Sequence, residues 1–311
     1  MRRRSQVVRQ RSAKPSSAGS IPAVASNISL PDNFSFVATV ESHGWFRLAP
    51  FRWSRDEGVL RRREALPDGI VDLEIRFVAR RGRPTLEIRG TALTDELHRR
   101  ITRMLQLHLD LSEFHERTRS SPAHEWVARD GFGRLLCGTT LWEDAVKIIA
   151  TTNTMWSQTV RMAELLVAKC GREGAFPTQE DVLRFDPDEL QRDCRLGYRA
   201  KSIHALASVD LSSIDTTLPT EELFRSYQKL PGIGPYGAAH LLAMEGRHDF
   251  IAVDTEFRRF VRETYHRGRK VSDAAMVRRY SKWGRWKYLA YWSELWGSVA
   301  DRLQPMPGEG K

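Results

Sequence analysis

The segment Leu230-Pro-Gly-Ile-Gly-Pro-Tyr-Gly-Ala-Ala239 constrains the fold of this chain more than any other. The apolar spacing of residues 221–229 predicts a short helix, which Pro231 and the glycines end. Pro235 suits the first position of a second helix, because the N–H group that it lacks would be unpaired there. Two glycines between the helices permit positive φ and a close ligand approach. The segment predicts a tight helical hairpin whose free N–H groups suit a phosphate, although a plain hairpin without a ligand has similar turn chemistry.

A carboxylate follows this hairpin at a second helix boundary. Asp254 comes 20 positions after Gly234, behind the short apolar run Phe250-Ile-Ala-Val253, and the apolar spacing from Thr255 onward predicts a new helix. Aspartate is a favourable N-cap, worth about 1 kcal/mol relative to alanine. A helix N-terminus also favours the ionised carboxylate, the form that stabilises a cationic sugar. The capping role and a catalytic role are therefore compatible at Asp254.

The hairpin and the aspartate together resemble the helix-hairpin-helix, Gly/Pro-rich loop and aspartate (HhH-GPD) signature of DNA glycosylases. Two other segments are similar to members of that superfamily: Leu196-Gly-Tyr-Arg-Ala-Lys-Ser-Ile203 to the 8-oxoguanine DNA glycosylases, and Trp283-Gly-Arg-Trp-Lys-Tyr-Leu-Ala290 to 3-methyladenine DNA glycosylase II. In the second segment Gly284 stands where proline is more usual. The resemblance implies an enzyme that flips a damaged base out of double-stranded DNA and cleaves its N-glycosidic bond, with Asp254 as the catalytic residue.

The resemblance assigns further residues to three groups. A hairpin that binds DNA phosphate comprises Leu230, Gly232, Ile233, Gly234, Tyr236 and Gly237. A wedge that enters the duplex or contacts the orphaned base comprises Asn153, Tyr198 and Arg199. A base pocket comprises Trp156, Tyr236, Trp286 and Tyr288. Each group has a structural interpretation as well: helix capping for Asn153, surface packing for Tyr198 with a solvated Arg199, and core packing for Tyr236 and for the aromatic residues between Trp283 and Trp296.

Tyr236 stands where bifunctional members of the superfamily have the lysine that forms a Schiff base. A phenol cannot form that adduct, so we expect a monofunctional glycosylase without lyase activity. One carboxylate suffices when the base is a good leaving group, which favours a cationic alkylated purine of the 3-methyladenine type. An oxidised purine of the 8-oxoguanine type is the second candidate, although Gln158 stands where a cytosine-reading arginine would be expected. A non-catalytic DNA-binding protein and a bifunctional enzyme with another lysine are the other hypotheses.

The composition agrees with a polyanionic partner without proving one. The 311 residues carry a formal net charge of +10 with a pI of about 9.8. The three cysteines are widely spaced and none follows Cys194, so we expect no zinc site, no disulfide framework and no iron–sulfur cluster. In relatives the hairpin carbonyls hold a monovalent cation, which implies Na⁺ or K⁺ at the carbonyls of Gln228, Leu230 and Ile233. We expect no membrane span, a monomer, and a location with the DNA: the bacterial cytoplasm and nucleoid, or a eukaryotic nucleus or organelle.

The patterns predict an α+β protein. Residues 1–30 contain no acidic residue and predict a disordered basic tail, with an organellar transit peptide and a start-site artefact as alternatives. Residues 31–111 predict a small domain with an antiparallel sheet and helix, including strands at Phe34–Val40, Phe46–Trp53 and Val71–Phe77, a returning strand at Leu86–Ile88 and a helix from Thr94. Residues 112–304 predict a mostly helical catalytic region, and 305–311 a flexible tail.

Overall fold

One antiparallel sheet forms the N-terminal layer. The computed structural model describes residues 25–31, 33–80 and 83–300, without the side chains of 298–300. The strands are β1 (Ala25–Ser29), β2 (Arg52–Ser54), β3 (Val59–Leu66), β4 (Gly69–Arg80) and β5 (Arg83–Arg89), in the order β1-β5-β4-β3-β2. The predicted α+β class is confirmed.

Helices make up most of the remaining described chain. They are α1 (Phe36–Val40), α2 (Asp95–Met104), α3 (Ser112–Thr118), α4 (Glu125–Asp130), α5 (Leu141–Thr151), α6 (Trp156–Lys169), α7 (Gln179–Leu183), α8 (Pro187–Asp193), α9 (Arg199–Ala207), α10 (Thr220–Gln228), α11 (Pro235–Met244), α12 (Thr255–His266), α13 (Asp273–Arg278) and α14 (Lys287–Ala300). Short 3₁₀ turns lie at Gly44–Arg47, Leu211–Ser213 and Ser281–Trp286. None of the described helices is long and apolar enough to cross a bilayer.

The strongest strand predictions are confirmed, and one segment of the predicted tail is a strand. In β4 Leu73 and Ile75 are buried while their neighbours are more exposed, and Ile75 pairs with Leu60 of β3 and Ile88 of β5. Residues 25–29, assigned to a disordered tail, form β1 at the edge of the sheet and pair with β5. That part of the tail prediction is wrong. The predicted tails over 1–24 and 305–311 lie outside the described residues, as do 301–304 at the end of the predicted catalytic region.

Two predicted strands are wrong. Phe34–Val40 contains helix α1, because Ser35 caps it by accepting the N–H of Ala38 at 3.3 Å and because Phe36, Thr39 and Val40 are buried at helical spacing. In the predicted strand Phe46–Trp53, a 3₁₀ turn comes first and only Arg52–Ser54 pairs in the sheet. Pro50 lies between them, and a proline cannot donate to a strand ladder.

The start of α2 agrees with its prediction. The Thr94 side chain accepts the N–H of Leu97 at 3.2 Å, and the buried Leu97, Ile101 and Met104 face the core.

The buried apolar residues of the sheet and of the helices form one continuous cluster. The division into domains at residue 111 therefore stays a prediction.

A buried ion cluster joins the sheet to α5. Arg62 of β3 donates to Glu143 of α5 at 3.0 Å, and Lys147 lies 2.6 Å from the same carboxylate. All three side chains are at most 2% exposed. Burial alone would raise the pKa of Glu143, but the charges of Arg62 and Lys147 lower it to about 2. Glu64 pairs with Arg62 at 2.6 Å and also with the less buried Arg100 at 2.5 Å. Glu143 is therefore the carboxylate that the two buried cations share.

Replacing Glu143 by glutamine would leave these cations short of one negative charge. We expect Glu143→Gln to lower the free energy of unfolding by about 3–5 kcal/mol, because an uncompensated buried charge is costly. Urea denaturation followed by circular dichroism measures this change. Glu164→Gln is the control, since Glu164 forms a half-exposed pair with Arg161 at 3.1 Å and its loss should cost less than about 1 kcal/mol. Equal effects of the two variants would contradict the role assigned to the cluster.

Candidate active site

The predicted hairpin is confirmed in structure. Helix α10 ends at Gln228, residues 229–234 turn, and α11 begins at Pro235. The N–H of Ile233 donates to the carbonyl of Leu230 at 3.0 Å and closes the turn. Gly232 has φ +78°, which favours glycine, and a Cβ there would lie 2.7 Å from the Cβ of Ser202 on α9.

Gly234 is different, because neither its backbone nor its neighbours require glycine. Its φ is −92°, and a Cβ built on it would meet no atom within 4 Å. It is the N-cap of α11, and the first N–H groups of a helix have no intrahelical partner. Here those groups belong to Tyr236 and Gly237. The open space and these N–H groups together suit the close approach of an anion.

Asp254 is the N-cap of α12, as predicted. Its Oδ1 accepts the N–H of Phe257 at 2.7 Å, and the residue is half-buried. Burial raises the pKa of Asp254 above its ordinary value, and the hydrogen bond from Phe257 opposes that increase. The carboxylate is thus fixed in position and is partly removed from water.

Asp254 lies near enough to two predicted pocket residues, Tyr236 of α11 and Tyr288 of α14, for its charge to raise the pKa of both. Burial raises the pKa of Tyr236 to about 12, and the nearby charge of Asp254 adds to the increase while a hydrogen bond with Thr151 opposes it. Burial likewise raises the pKa of Tyr288, with contributions from Tyr236 and Asp254. We call Asp254, Tyr236 and Tyr288 the aspartate site. It lies beside the start of α11 and therefore next to the hairpin.

The other two predicted pocket residues are placed differently. Trp286 is 3% exposed and packs against Phe114 at 5.6 Å and His248 at 5.9 Å between ring centroids, so its part in base binding stays a prediction. Its apolar ring belongs to the core, which the aromatic pattern of that segment equally allowed. Trp156 is 37% exposed and lies against Gly44, where a Cβ would come within 2.6 Å of the indole ring. Its part in base binding stays a prediction.

Two of the three predicted wedge residues meet at one exposed place. Tyr198 is 59% exposed, and its hydroxyl lies 3.3 Å from Nδ2 of Asn153 and 3.2 Å from Oγ1 of Thr152. Asn153 has φ +46°, a left-handed conformation that asparagine tolerates better than most residues.

Arg199 is not a wedge. It is 7% exposed, and its guanidinium donates to the carbonyls of Thr152 and Asn153, at 3.2 Å for Asn153. The left-handed turn at Asn153 directs these carbonyls towards α9, where the arginine satisfies them. The prediction that Arg199 contacts the duplex or the orphaned base is therefore wrong, and its role is to hold the 152–153 loop.

Sequence reasoning missed Met155. It is the N-cap of α6, two residues after Asn153, and is 65% exposed. Met155, Trp156 and Tyr198 are three of the six large apolar side chains that the described residues expose, the first two at the start of α6 and the third at the start of α9. Exposed apolar side chains at two helix starts, joined by the contact of Tyr198 with Asn153, form a candidate interaction surface. The sequence signal that could have indicated this surface was the pair Met155-Trp156, two large apolar residues in succession at the start of a helix.

Two histidines beside the aspartate site were missed as well. The ring of His240 lies 4.6 Å from that of Tyr236, and its Nδ1 lies 3.4 Å from the hydroxyl of Tyr288. His43 is close enough to His240 for a charge there to lower its pKa. The spacing of four residues from Tyr236 to His240 puts both on one helix face and was a usable signal. Nothing local indicated His43, which comes from the N-terminal part of the chain.

Residues 146–285 match the family model described as HhH-GPD superfamily base excision DNA repair protein. Over this segment, the chain is similar to the HhH-GPD superfamily. The hairpin, Asp254, Asn153 and Tyr198 lie inside the matched segment, whereas Tyr288 and His43 lie outside it. The aspartate site thus combines the HhH-GPD segment with the helix that follows it.

Solved structures share the HhH-GPD fold over most of their length. A 3-methyladenine DNA glycosylase from Archaeoglobus fulgidus has a TM-score of 0.72 at 20% identity, covering 88% of this chain and 99% of that one. MBOgg1 in complex with a low-affinity DNA ligand has a TM-score of 0.70 at 22% identity, with 90% and 97% covered. A Clostridium acetobutylicum 8-oxoguanine glycosylase/lyase in complex with double-stranded DNA has a TM-score of 0.68 at 17% identity, with 87% and 93% covered. At these identities the likeness shows the fold. No curated protein sequence matches the chain.

The hairpin carbonyls are compatible with a monovalent cation. Leu230 accepts one hydrogen bond, from Ile233, and a carbonyl oxygen has a second lone pair to offer. Gln228 is the last residue of α10, and Ile233 lies in the turn that follows it. In the described part of the chain, no cluster of three or more His, Cys, Asp or Glu side chains is arranged to hold a metal.

The two hairpin glycines should respond differently to alanine. We expect Gly232→Ala to destabilise the protein by about 2 kcal/mol or more, because a positive φ and a steric clash both oppose a Cβ. Gly234→Ala should leave the melting temperature almost unchanged but weaken duplex binding, because its Cβ would enter the space in front of the free N–H groups. Calorimetry and fluorescence anisotropy measure the two effects. Unchanged duplex affinity of folded Gly234→Ala would argue against an anion at the hairpin.

Proposed function

We propose that the protein is a monofunctional DNA glycosylase of base excision repair that hydrolyses the N-glycosidic bond of a flipped, damaged base. The observation that carries this proposal is the half-buried Asp254 carboxylate, which is held at the N-cap of α12 and is near enough to Tyr236, at the start of α11, for its charge to raise the pKa of that phenol. A hairpin that binds a backbone phosphate there would present the adjacent deoxyribose to Asp254. The superfamily match supports the same assignment.

The chemistry requires the ionised form of Asp254. Cleavage of the bond gives C1′ oxocarbenium character, and a nearby carboxylate stabilises the positive charge. The same carboxylate orients a water molecule or removes its proton as the water attacks C1′. The hydrogen bond from Phe257 holds Asp254 in place, so little reorganisation is needed when the charge develops.

The absence of lyase activity rests on Tyr236. Its pKa of about 12 keeps the phenol protonated at neutral pH, and an oxygen at this position cannot form a Schiff base. The buried Lys147 is engaged by Glu143 at 2.6 Å, which makes it a poor amine nucleophile.

Alkylated purines of the 3-methyladenine type are the substrates that we favour. The partly exposed ring of Tyr236 gives the site an electron-rich face, which attracts a cationic base. Oxidised purines remain the second candidate, because the similar structures include an 8-oxoguanine glycosylase/lyase. The partner is double-stranded DNA, with the protein acting as a monomer in the nucleoid of a bacterium or in a DNA-containing compartment of a eukaryotic cell.

Two separate surfaces of the protein contact DNA in this proposal. The hairpin of residues 230–237 binds phosphate, with Na⁺ or K⁺ at its carbonyls as structural support. Asn153, Met155 and Tyr198 enter the space that the flipped base vacates. Extrusion costs a few kcal/mol, and side chains that stack in the gap offset part of that cost.

Asp254→Asn should abolish base release while keeping the fold, since asparagine caps a helix as well as aspartate does. We expect the single-turnover rate to fall at least about 100-fold, in the range found when one electrostatic contact to a transition state is removed. Duplexes carrying one alkylated or oxidised purine are assayed for free base by chromatography. Asp186→Asn, at the N-cap of α8, is the matched control and should keep full activity. Wild-type activity of Asp254→Asn would remove this carboxylate from the mechanism.

The pH dependence gives a further readout for the same residue. Because burial raises the pKa of Asp254, the active carboxylate is lost as pH falls through a value above that of an ordinary aspartate. The wild-type rate should therefore fall at low pH, and the residual rate of Asp254→Asn should lack this fall.

An aspartate whose pKa is raised on folding favours the folded state only while it is protonated, and this contribution is lost as pH rises. At neutral pH, Asp254→Asn should thus be no less stable than the wild type.

Borohydride trapping tests the assignment of Tyr236. We expect no covalent protein–DNA adduct when the wild type is incubated with a substrate duplex and borohydride, and no strand cleavage without added alkali. Tyr236→Lys is the informative counterpart, since it places an amine next to Asp254 and should permit trapping. A trapped adduct with the wild type would instead identify a bifunctional enzyme.

A further inference from the structure

We infer that His240 and His43 hydrogen-bond the flipped base and determine which modified purines are released. This inference rests on the proposed function and deepens it. Neither histidine is needed for the chemistry at C1′, which Asp254 performs. Their proposed role is to provide a polar edge in a site whose other walls are aromatic.

His240 borders the aspartate site on two sides. It lies one helical turn after Tyr236 on α11, with the two rings nearly perpendicular at 77°. Its Nδ1 lies 3.4 Å from the Tyr288 hydroxyl. The residue is partly exposed, and its Nε2 has no hydrogen-bond partner among the residues that the structure describes. One hydrogen-bonding atom of His240 is therefore left for a ligand between Tyr236 and Tyr288.

His43 brings a second such atom from the N-terminal part of the chain, one ring away from Tyr288: its ring lies 6.4 Å from that of Trp292, which stacks on Tyr288 at 5.8 Å. Its Nε2 lies 2.8 Å from the carbonyl of Leu136, and because a carbonyl only accepts, Nε2 carries the hydrogen. In the neutral ring, Nδ1 is then an acceptor. Trp45 and Trp292 contact the ring edge-on at 5.3 and 6.4 Å, which fixes its orientation. A base that donates an N–H group, from its ring or from an exocyclic amine, would satisfy this acceptor.

Both imidazoles are uncharged at neutral pH. Burial lowers the pKa of His240 to about 4 and that of His43 to about 3. Neutral rings do not repel a cationic purine, and they hydrogen-bond a neutral one equally well. The pair therefore selects by the hydrogen-bonding pattern of the base rather than by its charge.

Such a pair matters because apolar pockets discriminate weakly. A missing methyl group changes selectivity by about 10- to 200-fold, whereas a buried hydrogen-bonding group left unpaired by the wrong ligand gives much larger ratios. Tyr236 and Tyr288 supply the first kind of contact to any base. His240 and His43 supply the second kind only to bases with matching N–H or acceptor atoms.

The test measures binding in an Asp254→Asn background, so that it does not depend on turnover. His240→Phe, which keeps an aromatic ring but no hydrogen bond, should weaken binding to the best lesion duplex by about 10- to 100-fold. It should leave binding to a duplex with a tetrahydrofuran abasic-site analogue unchanged, because that duplex has no base to contact. His240→Gln, whose amide reaches the position of Nε2, should restore most of the lesion affinity.

The same variants in the active protein give the order of lesion preference by single-turnover rates. We expect His240→Phe to make the release rates of alkylated adenine, alkylated guanine and oxidised guanine more alike. The control is His98→Asn, on the exposed face of α2, which should change none of these rates. Equal losses on lesion and abasic duplexes would overturn the inference and leave a structural role. Unchanged lesion affinity would overturn it as well. Failure of the wild type to release any base would instead refute the proposed function, and the binding comparison would still decide the role of His240.

Discussion

The hydrogen bond from the Phe257 N–H group to Asp254 is the interaction on which the candidate site depends. At 2.7 Å it satisfies a backbone donor at the start of α12 and at the same time fixes a carboxylate beside Tyr236 and Tyr288. Burial disfavours the ionised form, whereas the helix terminus favours it. A carboxylate in water would be free to rotate and well solvated. Here the fold has already removed most of that freedom, so one group serves both stability and chemistry.

Contacts far from Asp254 set the position of its carboxylate relative to the loop of Asn153. The pair of Arg62 and Glu143 attaches α5 to the sheet, and the C-terminal end of α5 leads directly into the loop of Asn153. Arg199 then fixes that loop to α9 through its carbonyls. Because α9 also packs against the hairpin at Gly232, the loop of Asn153 and the hairpin are held by the same helix. The buried charges thus contribute to the geometry of the site without touching it.

The sequence revealed those features whose causes are local. Asp254 and Thr94 are N-caps recognisable from their neighbours, and the hairpin follows from Gly232 and Pro235. The prediction failed where a distant partner decides the outcome. Phe34–Val40 is short enough to fit either period, and only the Ser35 cap and the surrounding core select the helix. His43 and His240 meet across the fold, so no spacing along the chain could have paired them.

The burial of Arg199 changes how this chain would hold DNA. An arginine in the vacated gap would add a charged contact there, and with it a dependence on salt. With Arg199 engaged by backbone carbonyls, the exposed side chains that the proposal assigns to the gap are Asn153, Met155 and Tyr198, none of which is charged. Contacts of these residues with an opened duplex rest on stacking and apolar burial. On the proposed function, electrostatic attraction is supplied instead at the helix N-terminus of the hairpin, so affinity and base extrusion depend on separate parts of the molecule.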